Sequence, residues 1–150
     1  MFYKKSLFLL LPLIFCACSS MVSIKINNKE NSNLNNRLDD VPLTVIVYQL
    51  KDFRKFKEAN DLELATREDG VLGKDKIDSI KLQIAPKEDN VVAVKVNDEE
   101  VPYIGIFALF ANNTKKVTKI WAKTSDASGF IGTTKTLKFE ITEKGIKRLK

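Results

Sequence analysis

The chain contains no histidine, and its two cysteines, Cys16 and Cys18, both precede Ser19. From Ser19 onward there is therefore no His or Cys to hold zinc, no Ser-His or Cys-His nucleophile pair, and no internal disulfide. Glycine is scarce, with six in 150 residues. Gly70 and Gly73 are too isolated to form a phosphate cradle. Carboxylates cluster at Asp39-Asp40, Asp75/Asp78 and Asp98-Glu99-Glu100. An acid/base pair would need a cleft and a perturbed pKa, and these groups sit in polar, turn-like stretches where a solvated role is the preferred reading. Asp75-Lys76-Ile77-Asp78 lacks the ligand spacing of a calcium loop. Neither catalysis nor a cofactor or metal is expected.

The N-terminus carries the strongest signal. Lys4 and Lys5 form a positive start, Leu7 to Phe15 an apolar run, and Ala17-Cys18 a small residue before a cysteine. This is a secretory signal ending in a lipobox, where a bacterial signal peptidase cuts before a lipidated cysteine. The apolar run falls short of the about 20 residues needed to span a bilayer. Cys18 is the better acceptor, because cleavage before Cys16 would leave bulky Phe15 on the leaving side. The expected organisation is a signal peptide over 1–17 and a lipid-anchored β-sandwich domain over 18–150, with 18–21 as a short tether. Ser19, where an Asp would favour inner-membrane retention, points to the outer membrane, facing the periplasm.

Removing Lys4 and Lys5 lowers 25 basic residues to 23 against 19 acidic ones, a net charge of +4. Lys144, Lys147, Arg148 and Lys150 crowd the C-terminus. A solvated tail is preferred there over contact with anionic lipid. Nucleic-acid binding is not expected of an exported lipoprotein.

Periodicity gives an all-β chain. Strands are predicted at 21–26, 43–50, 78–85, 91–96, 102–111, 117–123 and 136–142. Those at 43–50 and 102–111 are apolar on both faces, which places them inside a sheet between two layers. Inward positions include Ile80, Leu82 and Ile84, then Val92, Val94 and Val96, then Leu137, Phe139 and Ile141. Between 53 and 64 the period becomes helical, with Phe53, Phe56, Asn60 and Leu64 on one face, Asp52 as N-cap and a break at Asn60-Asp61. Asp69-Gly70 and Leu72-Gly73 read as turns. Trp121 is assigned to the core, and Phe53 and Phe56 to a helix face capping the sandwich. The Asn-rich segment 27–42 is either a flexible linker or a long loop. Seven short strands with turns between them make an antiparallel β-sandwich.

Three segments together resemble the TssJ (VasD) family of type VI secretion outer-membrane lipoproteins. They are Val47-Tyr48-Gln49-Leu50-Lys51 followed by Phe56 and Ala59-Asn60; Leu72-Gly73-Lys74-Asp75 followed by Leu82 and Pro86; and Tyr103 to Phe110 with Trp121 downstream. The resemblance implies a transthyretin-like two-sheet antiparallel β-sandwich with a short helical insertion. It also implies a lipoprotein that anchors the type VI secretion membrane complex by binding the periplasmic domain of a TssM-like inner-membrane protein, and indirectly TssL. In the family the loop between the first two strands carries much of that contact. Here it is Asn28 to Pro42, and the expected contact residues are Asn35, Asn36, Arg37, Leu38, Asp39 and Asp40. The alternative is an unrelated exported sandwich lipoprotein acting as a ligand-binding or chaperone-like module.

Overall fold

The computed structural model describes residues 20–130 and 133–150. The expected signal peptide and the acceptor Cys18 lie outside the described residues.

Eight strands form two four-stranded sheets. They are β1 (Met21–Asn28), β2 (Leu43–Leu50), β3 (Lys76–Ile84), β4 (Val91–Asn97), β5 (Tyr103–Leu109), β6 (Lys119–Lys123), β7 (Lys135–Thr142) and β8 (Gly145–Leu149), with helices α1 (Arg54–Glu58) and α2 (Asp61–Leu72) between β2 and β3. One sheet has the order β4-β1-β7-β8 and the other β3-β2-β5-β6. Alternation along the strands builds the space between them. Val22, Ile24 and Ile26 of β1 meet Val45 and Val47 of β2, Ile104 and Ile106 of β5, and Phe139 and Ile141 of β7 in one buried cluster. Burying each such side chain stabilises the fold by about 1.5–3 kcal/mol.

The opposite face of the second sheet is also covered. Ile46, Tyr48, Leu50 and Phe107 pack against Phe56, Ala59, Leu64 and Leu72 from the helices. That explains the doubly apolar β2 and β5, which are the two central strands of their sheet. The Phe56 ring lies directly over Gly105, where a Cβ would come within 2.9 Å of it. Phe53 stacks on Trp121 at 3.7 Å between ring centroids, and Tyr103 meets the indole edge-on at 6.1 Å.

The structure corrects several expectations. β1 and β7 run parallel, so the first sheet is mixed. The chain re-enters β7 at the same end from which it starts β1, and the two lie side by side. The basic C-terminus is an eighth strand, β8, paired antiparallel with β7; Lys147 bonds Glu140 and Arg148 bonds Asp126. Val92 faces solvent, because β4 shifts register opposite Ile24/Lys25. The extra residue of this bulge turns Ala93 inward and Val92 outward. The helical insertion breaks at Asn60 as expected, through a capping box with Glu63, but helical structure then continues, kinked at Arg67, through Gly70 to Leu72. The Asp52 carboxylate accepts from the Arg54 N–H at 2.9 Å, while Phe53 holds the N-cap position without a side-chain bond.

Candidate functional site

The segment joining β1 to β2 is a braced loop rather than a flexible linker. Buried Asn28 donates to the Ala85 carbonyl at 3.0 Å and accepts from the Ser32 hydroxyl at 2.5 Å. Buried Asn33 donates to the carbonyls of Val41 and Pro42 and accepts from the Ala111 N–H at 2.8 Å. Lys116, from the β5–β6 connection, donates to the Ser32 carbonyl at 2.7 Å; burial pulls its ammonium pKa below the usual lysine value, with Glu143 and Asp40 opposing that shift. The asparagines that suggest flexibility by composition are thus the struts of the loop, because one amide can satisfy both carbonyls and N–H groups that the backbone leaves unpaired.

Within this base stands a small hairpin. Leu34 bridges Asp40, the Asn35 N–H donates to the Asp39 carbonyl and the Leu38 N–H to the Asn35 carbonyl. The Asn35 side chain closes the turn, accepting from the N–H groups of Arg37 and Asp39 and donating to the Asp39 carboxylate at 3.2 Å. Asp40 accepts from the Asn31 N–H at 2.6 Å, and its other oxygen is buried without a partner among the described residues. So the six expected contact residues divide. Asn35, Asp39 and Asp40 build the turn. Asn36, Arg37 and Leu38 are displayed from it, exposed, and Arg37 has no ion pair among the described residues.

Leu38 is 77% exposed with φ of 65°. A left-handed conformation costs an L-residue about 1–2 kcal/mol, and for a bulky residue it is an outlier. Sequence periodicity carries no signal for this, since backbone handedness leaves no trace in hydropathy. An open concavity of about 280 Å³ lies beside the tip, lined by Leu34, Leu38, Asn112, Lys116 and Glu143 among others.

The loop sits at one end of the sandwich with the β3–β4 turn, tied by the Asn28 N–H to the Glu88 carbonyl. Ser20 sits at the other end, bonded to Asp98 through its N–H and its hydroxyl. Those bonds hold the Asp98 carboxyl below the usual carboxylate range. The other carboxylate clusters are likewise spoken for by neighbours: Asp75 pairs with Lys55 at 3.1 Å and Asp78 accepts from the Ser79 N–H.

This geometry defines a class: a two-sheet β-sandwich with a braced, exposed hairpin at one end. The model of the family described as type VI secretion lipoprotein (VasD, EvfM, TssJ) matches residues 20–144, and the chain belongs to that family. No curated protein sequence matches the chain. Solved structures share the fold. Lip, a membrane-bound component of the type VI secretion system of Serratia marcescens, superposes with a TM-score of 0.71 at 18% identity, over 88% of this chain and 97% of that one. TssJ1 of Pseudomonas aeruginosa gives 0.70 at 17% identity, over 87% and 95%. A chain in a structure of the TssM C-terminal domain from EAEC gives 0.65 at 20% identity, over 87% and 98%.

Proposed function

We propose that this protein is the outer-membrane anchor of a type VI secretion membrane complex, facing the periplasm. Lipid on Cys18 holds one end of the sandwich, and the hairpin at the other end binds the periplasmic domain of a TssM-like inner-membrane protein, and through it TssL. The observation that carries this reading is the hairpin tip: an exposed, strained Leu38 beside an unpaired Arg37, on a loop fixed to the body by buried asparagines. Strain of this kind persists where the surroundings over-determine it, and it clusters at recognition sites. Arg37 supplies a planar fork of donors, and Leu38 an apolar anchor. Family membership and a TssJ-fold chain in a TssM structure support the choice of partner. The same reading carries the transthyretin-like description of the sandwich and a role without catalysis.

The test is co-purification with the TssM-like periplasmic domain. Arg37→Glu removes the fork and inverts its charge on a residue that braces nothing, so capture should be lost while the melting curve stays in place. Retention of wild-type capture would move the contact away from the hairpin. For the anchor, Cys18→Ser should abolish the lipid mass and release the protein from membranes or stall its processing. Unchanged mass and fractionation would refute the assignment, and Cys16→Ser should have little effect.

A further inference from the structure

The outer face of the β4-β1-β7-β8 sheet is not used by the hairpin. Its residues fall into rows across the strands. The row nearest Ser20 reads Lys95, Ser23, Thr136, and the next reads Val92, Lys25, Lys138, Leu149. The third, towards the hairpin, contains Asn27, Glu140 and Lys147. Glu140 is the one carboxylate in these four strands, and it serves Lys147 and Lys29. Lys25, Lys95 and Lys138 have no ion pair among the described residues. Lys25 and Lys138 are direct register partners, so two like charges stand side by side, an arrangement that costs stability unless an anion answers it. Val92, half exposed, adds an apolar member to that row.

Beside this face, at the Ser20 end, Phe130 is 87% exposed and Met21 half exposed. Phe130 and Met21 line one concavity together with Ser20, Thr133, Thr134 and Lys135. Phe130 and Lys138 line a second, with Leu149 and Lys150. Only Ser19 lies between Cys18 and Ser20, a reach of at most about 7 Å. An aromatic ring and a methionine with lysines behind them, this close to an acylated residue, suit the interface of a bilayer.

We propose that Phe130, Met21 and the Lys25/Lys95/Lys138 face form a second membrane contact, which lays this end of the sandwich against the anionic phospholipid leaflet that receives the lipid. The inference rests on the anchoring of Cys18 proposed above. The lipid fixes the chain to the membrane, and a basic patch beside it would add electrostatic attraction to anionic headgroups and so orient the domain. Asp98, Glu99 and Glu100 lie at the same end on the β4–β5 connection, but not in the lysine rows.

The full chain carrying Phe130→Cys is purified, labelled at that thiol with an environment-sensitive dye, and reconstituted into vesicles of phosphatidylglycerol with phosphatidylcholine, or of phosphatidylcholine alone. Leu38→Cys is labelled as the distal control. On anionic vesicles, spin-labelled lipid should quench the Phe130 site roughly threefold more than the Leu38 site, as for a side chain at the headgroup–acyl boundary. Pairing Lys25→Gln with Lys138→Gln should reduce that quenching without lowering the Tm, since it also relieves the like-charge pair, and neutral vesicles should reduce it too. Equal quenching at both sites overturns the proposal, and so does quenching indifferent to both lysines and lipid charge. A blue shift without quenching would mark a protein contact at Phe130 and also overturn it. The intact mass of the same preparation reports lipid on Cys18 separately, so failure of the anchor is distinguishable. If the mass shows no lipid, co-flotation with anionic but not neutral vesicles supports the face, and its absence overturns it.

Discussion

Leu38→Asn should raise stability and lower affinity, and the opposed signs are what make it informative. Leu38 is 77% exposed, so replacing it forfeits little buried area. Its φ of 65° is one that asparagine tolerates and leucine does not. Relief of the left-handed penalty should therefore stabilise the free protein by roughly 0.5–1 kcal/mol, or about 2–4 °C in Tm for a domain of this size. On the function proposed above the leucine would be the apolar anchor of the complex, and truncating such a residue costs about 2 kcal/mol or more, close to a thirtyfold rise in Kd. A thermal melt and a calorimetric titration against the TssM-like periplasmic domain read the two effects separately. A fall in Tm would show that leucine is packed rather than displayed, and an unchanged Kd would show that its strain serves no contact. Asn33→Ala is the contrasting control. It strips bonds to Val41, Pro42 and Ala111, and stability should fall by about 1–3 kcal/mol because three part-buried backbone groups lose their partner together. For the same reason, excising 31–40 is not the neutral loop-shortening that composition suggests.

Two further outcomes follow from the packing and the charges. Gly105→Ala should destabilise the sandwich by about 1–3 kcal/mol in a denaturant titration, because the new methyl meets the Phe56 ring; Phe56→Leu in the same chain should recover part of the loss, and additive losses would refute the contact. Asp98 has a folded pKa below its unfolded one. Its contribution is therefore present above the unfolded pKa and lost as pH falls through the folded one. The Tm difference between wild type and Asp98→Asn should be full above about pH 5 and vanish in strong acid; a difference independent of pH would refute the ionic account.

Hydropathy made the interior legible. β2 and β5 declared themselves as doubly buried, and β1, β3 and β7 as alternating, because burial acts on every second residue and leaves that period in the chain. The helix break at Asn60 was legible from local capping chemistry. What escaped depends on backbone geometry. β8 has only Ile146 and Leu149 as apolar residues and begins at Gly145, whose φ is 105° and where a Cβ would collide with the Val117 backbone. Among its four basic neighbours, that strand reads as tail. Val92 was misassigned because a single bulge inverts every face beyond it. At the hairpin, sequence offers six candidate contact residues as one set, while the structure uses Asn35, Asp39 and Asp40 to build the turn and leaves Asn36, Arg37 and Leu38 displayed from it.

The placement of β1 bears on how the anchor would respond to tension. This eight-residue strand begins at Met21, and the hairpin loop leaves it at Asn28, roughly 25 Å away along the chain. On the function proposed above, a pull between the lipid on Cys18 and a partner at the hairpin would run lengthwise through one strand. That strand is held on both sides, by β4 and β7, so its hydrogen bonds are strained in shear together instead of being unzipped one at a time. A load applied between the two ends of the sandwich would thus meet resistance from two hydrogen-bonded neighbours of one strand at once.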